Sequence, residues 1–154
     1  MVLLNTSFDE IYHLFLSQIQ DYNLRNLFNN NIDIAQDMLK TFLLRSIPKF
    51  ANCTKRIMDI DDTTDEFPCK LDLAEKNILS ELMVCTWLDW VINDIRQISL
   101  HLQDNDFKTF SEESNLKQKS EYCDRVREKA SQDMVEYGLR NTPFDKWAVG
   151  DYGV

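Results

Sequence analysis

Residues 72–102 read DLAEKNILSELMVCTWLDWVINDIRQISLHL, and this stretch decides the fold of the chain. Asp72-Leu73-Ala74-Glu75 is a helix-start signature, with the Asp72 carboxylate placed to accept from the first orphan N–H groups. One apolar track follows at helical spacing through Ala74, Ile78, Leu82, Cys85, Leu88, Ile92 and Ile95. A second lies on the opposite side, through Leu79, Met83, Trp87, Trp90 and Ile98. Only Glu75, Thr86, Asp89 and Asn93 are left as a narrow polar strip. A helix apolar on most of its circumference must be covered on most sides. The segment is therefore expected to be the central core helix of a bundle, about 45 Å long at 1.5 Å per residue.

Working outward, Asp104-Asn105-Asp106 breaks the pattern and Ser111 is a good N-cap for a second long helix over about 112–137, with Gly138 at its C-terminal cap position. Leu116, Cys123, Val126, Ala130, Met134 and Tyr137 form a single apolar stripe there, so this helix is expected on the surface, folded back antiparallel on the first. Upstream, Ser7-Phe8-Asp9-Glu10 matches a capping box. Phe8, Ile11, Phe15 and Ile19 continue it as a helix to about Tyr22. A further helix over about 33–46 ends at Ile47-Pro48, because the residue before proline is pushed out of the helical region.

Residues 49–70 fit neither period, although 55–60 could form a short strand before the acidic run 61–66. The segment is expected to be an extended arm or β-hairpin, with Ile57, Met58, Ile60 and Phe67 as candidate partner contacts. Phe107 and Phe110, in the turn between the long helices, are candidates of the same kind. The tail 139–154 carries Phe144, Trp147 and Tyr152, large aromatics that dock either on their own subunit or on a neighbour. The expected layout is mainly α: a single helical domain over 1–138, two shorter N-terminal helices before the long pair, and the tail.

Chemistry is narrowed mainly by what is missing. No glycine precedes Gly138, so the first nine-tenths of the chain offers no glycine-rich phosphate cradle. Seventeen Lys plus Arg against 26 Asp plus Glu give a net charge of −9, which repels nucleic-acid backbones. Cys53, Cys69, Cys85 and Cys123 make no CxxC pair and read as free thiols. An EF-hand counted from Asp59 puts Thr63, Thr64 and Lys70 at positions 5, 6 and 12, which fails. The first positive charge is Arg25, which argues against a secretory leader, and the most apolar stretch, Leu82–Ile92, is too short for a membrane span.

Asp89, among tryptophans, has two readings: a buried acid–base group, or a polar-strip side chain bonded to a neighbouring helix or facing a cavity. His13 and His101 have no nucleophile or acid at interpretable spacing. Neither an enzyme nor any cofactor or metal is expected.

Three pieces carry a resemblance. They are the acid-capped helix from Leu71-Asp72-Leu73-Ala74-Glu75 through Thr86-Trp87-Leu88-Asp89-Trp90-Val91, the turn Asp106-Phe107-Lys108-Thr109-Phe110-Ser111 running into Ser114-Asn115-Leu116, and the charged helix closing on a tyrosine. Ile47-Pro48-Lys49-Phe50 before the arm also fits. Together they resemble the head-to-tail connector, or adaptor, proteins in the neck of long-tailed bacteriophages, over about two-thirds of the chain. The resemblance implies a virion protein made in the host cytoplasm, a subunit in a ring of about twelve like copies between portal and tail. It implies portal and other neck or tail proteins as partners, no membrane, and DNA passing through the channel unheld. A different reading is a small acidic helical binding module or regulator.

Overall fold

The structure, a computed structural model, describes residues 5–19, 22–61, 63–101 and 106–144; the side chains of 22, 23, 98–101 and 106–113 lie outside that description. Strand β1 (Thr6–Ser7) leads into helices α1 (Phe8–Gln18), α2 (Tyr22–Asn30) and α3 (Ile32–Ser46). A 3-10 turn (Ile47–Lys49), strand β2 (Glu66–Phe67) and the long helices α4 (Leu73–His101) and α5 (Asp106–Arg140) follow. The architecture is a helical bundle in which α4 is the shared axis: α1, α3 and α5 all pack on it. Every residue from Ile78 to Leu88 is buried, as apolar tracks on opposite sides require.

The caps hold as the residue types demand. The Ser7 hydroxyl accepts from the Asp9 N–H at 3.3 Å. Asp72 Oδ1 accepts from the Glu75 N–H at 2.9 Å while Glu75 Oε2 accepts from the Asp72 N–H at 2.8 Å, a reciprocal capping box. Pro48 sits in the 3-10 turn that ends α3.

Three features differ from the sequence expectation. Three short helices, not two, precede the arm. Helix α1 stops at Gln18, Ile19 is extended, and α2 follows because Leu24, Leu27 and Phe28 make a local apolar face against α3. Asn31 then does two jobs: its N–H donates to Leu27 O at 2.8 Å, and its side chain accepts from the Ile34 N–H at 3.5 Å to start α3.

Helix α5 begins at Asp106, so the segment read as a turn with a Ser111 cap is already helical. It also passes through Gly138 to Arg140. A Cβ on Gly138 would meet Asn52 Nδ2 at 3.0 Å, so this glycine gives the arm room to approach rather than capping the helix.

The segment 49–70 is an irregular arm that packs onto the bundle. β2 pairs antiparallel with β1, Thr6 opposite Phe67 and Ser7 opposite Glu66, and a single bridge joins Asp61 to Glu66. Asp65 takes the left-handed conformation (φ 52°) there, and its carbonyl accepts from the Phe8 N–H at 2.9 Å. Residues 55–60 form no strand. Phe50, Ile57 and Phe67 are buried in the core, so burial of apolar side chains draws the segment onto its own chain.

Candidate functional site

Three α4 carboxylates make polar contacts across the seam between α4 and α5. Glu75 is the first and deepest, with its side chain 1 % exposed. Lys55 Nζ donates to Glu75 Oε2 at 2.6 Å and to Lys70 O at 2.7 Å. The Tyr137 hydroxyl donates to Glu75 Oε1 at 2.8 Å and accepts from Thr54, whose N–H lies at 3.1 Å and whose Oγ1 lies at 2.7 Å. Asn52 Nδ2 donates to Met134 O at 2.7 Å, and the Phe50 and Tyr137 rings meet edge-on at 5.1 Å. The arm, α4 and α5 are thus locked through one buried ion pair and one phenol. Burial pushes the Tyr137 hydroxyl up to about 12, so it stays a donor at every physiological pH. Burial alone would lower the Lys55 ammonium, but the bond to Glu75 together with the charges of Glu75 and Asp72 raises the group on balance.

Glu81 is the second carboxylate, which the sequence reading placed neither on an apolar track nor on the polar strip. Its side chain is 7 % exposed, Oε1 meets Lys129 Nζ, and Oε2 is buried without a donor. Lys129 also donates to Asp133 Oδ2 at 2.9 Å. Burial raises Glu81, and the nearby Asp133 carboxyl raises it further. Burial works against Asp133, but its bonds to Lys129 and Glu81 lower its carboxyl on balance.

Asp89 is the third. It lies half-buried in an ion pair with Arg127 Nη2 at 3.0 Å, and Cys123 Sγ donates to it at 3.7 Å. The polar-strip reading describes it: bonded to the neighbouring helix, and lining a cleft of about 490 Å³ with Asn93, Arg96, Ser120 and Asp124. Burial pushes the Cys85 thiol up to about 11 and raises Cys123 as well, so both are thiols rather than thiolates at neutral pH.

The candidate contact residues divide. Ile57 and Phe67 are internal, which removes them as surface anchors on this structure, and Ile60 is half-buried. Met58 (64 % exposed) and Phe144 face outward. The Phe107 and Phe110 side chains, and all of Trp147 and Tyr152, lie outside the described residues. An apolar surface that the sequence reading assigned to the core does open: Trp90 is 47 % exposed beside a groove of about 420 Å³ between α4 and the α2–α3 pair. Among the described residues no helix is long and apolar enough to cross a membrane, and no three His, Cys, Asp or Glu side chains converge as metal ligands. No family model, curated protein or solved structure matches the chain.

Proposed function

We propose that this chain is a structural subunit of the neck of a tailed bacteriophage, a connector that joins portal to tail as one copy in a ring. The observation that carries the reading is that the resemblance-bearing pieces fall on one unit, the antiparallel α4–α5 pair with the arm cross-linked to its end through Glu75, Lys55 and Tyr137. Such a pair is a stiff rod, and a ring subunit needs a rigid body that passes force between neighbours above and below. The net charge of −9 supports a channel that DNA passes without adhering. Work of this kind calls for no catalytic residue and no cofactor.

The test is to purify particles of a phage that encodes this chain and identify their proteins by mass spectrometry. Negative-stain imaging of the chain mixed with the portal encoded by the same genome completes it. The chain in every particle, and an added ring of density below the portal, are the expected results. Particles assembled and infectious without it would refute the proposal and favour a small acidic binding module acting in the cell.

A further inference from the structure

The groove beside Trp90 is built like one half of an interface. Leu24 and Trp87 are buried at its floor, Leu27 and Met38 are half-buried in its walls, and one side of the Trp90 ring meets Phe42 at 6.3 Å. A half-exposed tryptophan beside flexible apolar side chains is the composition of a binding hot spot. Asp94 and Lys119 border the groove.

The other half is on the same chain. Residues 145–154 follow the last described residue and read Asp-Lys-Trp-Ala-Val-Gly-Asp-Tyr-Gly-Val, so that Trp147 follows Lys146 and Asp145, opposite in sign to Asp94 and Lys119.

Reach decides which copy they meet. Helix α5 ends at Arg140 beside Ala74 and Asn77, near the start of α4. From Ala74 to Trp90 is about 24 Å along α4 at 1.5 Å per residue. Residues 141–144 are held in a tight terminal turn, with Asn141 N–H on Tyr137 O, Thr142 N–H on Leu139 O and Phe144 N–H on Thr142 O. Past Phe144, Trp147 gains at most about 11 Å, even fully extended. Trp147 therefore stops short of Trp90 on its own copy.

We propose that this groove receives the segment 145–154 of a second copy of this chain, with Trp147 packing against Trp90. Tail and groove are unlike surfaces, so the contact is head-to-tail and propagates from copy to copy, closing into a ring when the rotation per copy allows. In this it rests on the ring reading for its setting and supplies the contact between like subunits that the reading leaves open.

A fluorescent peptide covering residues 143–154, titrated onto the full-length protein and followed by anisotropy, tests it directly. Saturable binding is expected, weakened about tenfold or more by Trp147→Ala in the peptide and equally by Trp90→Ala in the protein. Met38→Lys, from the opposite wall, gives a second reading should Trp90→Ala lose its helical circular dichroism. No saturation, or binding indifferent to both groove substitutions, overturns the inference and sends the tail to another surface. Peptide binding intact while particles lack the chain would sink the phage reading and leave this contact standing.

Discussion

Tyr137→Phe removes one oxygen and leaves the rest of the buried hub in place. The ring keeps its edge-on contact with Phe50 at 5.1 Å, so the apolar contribution is unchanged. What is lost is the bond to Glu75 Oε1 at 2.8 Å and the two contacts from Thr54. A hydrogen bond to a charged acceptor contributes about 1.5–3 kcal/mol. The groups of Thr54, an exposed residue, find water in its place and add little. Glu75 has no such replacement: its side chain is 1 % exposed, and Oε1 is left facing a ring edge. The expected cost is therefore about 2–3 kcal/mol. For a chain of this length that corresponds to a melting temperature lower by roughly 4–12 °C. Urea unfolding followed by circular dichroism should show a lower midpoint at unchanged slope, because the surface exposed on unfolding is the same. Hydrogen exchange should quicken first in residues 50–57, which the phenol ties to α5. A cost under about 0.5 kcal/mol, the scale of an ordinary surface change, would show that the hydroxyl is not bonded to a buried carboxylate and that the arm is held by other means.

Glu81→Gln should stabilise the protein at neutral pH by about 1 kcal/mol, since the buried oxygen without a donor is replaced by an amide that can donate to Asp133. The sign follows from the raised carboxyl: its contribution is full below the ordinary value of 4.5 and is lost as pH rises through the higher folded value, so the variant's advantage should close in acid. Asp133 runs the other way, its contribution fading only as pH falls below 3.8 toward its lowered folded value. Urea midpoints across pH check both, and destabilisation by Glu81→Gln at neutral pH would refute the assignment. Ile57→Ala should cost about 2–5 kcal/mol as a core truncation, whereas a detached arm would leave the urea midpoint almost unmoved. Gly138→Ala should be near neutral alone, because about 1 kcal/mol of helix propensity is offset by displacing Asn52 from Met134 O. With Asn52→Ala in the background, the same change should stabilise by about 1 kcal/mol in thermal or urea melts.

Helix α4 was legible because apolar residues on opposite sides leave few alternatives: a helix that must be covered all round is a core helix wherever the covering elements come from. The capping boxes at Ser7 and Asp72 were legible for a related reason, being satisfied within four residues of chain. What failed is what depends on distant partners. Trp90 belongs to an apolar track, yet α2 and α3 leave it half uncovered, and periodicity says which side wants cover, not whether cover arrives. Glu81 sits among Leu79, Leu82 and Met83 as an isolated charge, and only the approach of Lys129 along α5, 48 positions away in the chain, makes its burial tolerable. Residues 49–70 lack a helical or strand period because their order comes from Phe50, Ile57 and Phe67 entering the core one at a time and from bonds to Tyr137 and Glu75. Helix α2 was obscured by the asparagines after it, whose turn chemistry ends one helix and caps the next.

The folded arm bears on where the proposed ring subunit would grip a neighbour. An arm that reaches out spends its apolar side chains on a partner; here Ile57 and Phe67 are spent inside the chain, and Lys55 is committed to Glu75. Releasing the arm to embrace another protein would expose two core side chains and strand a buried carboxylate, a change on the order of several kcal/mol before any new contact forms. Contacts that leave the fold untouched are far less demanding. The groove at Trp90 is already formed, and Met58 and Phe144 are already exposed. Under the proposed tail–groove contact, a rigid body whose groove is already formed assembles without reorganising its core, and affinity then depends on ordering the tail alone. If that proposal is right, shortening the tail weakens self-association while leaving the unfolding midpoint of the bundle where it was.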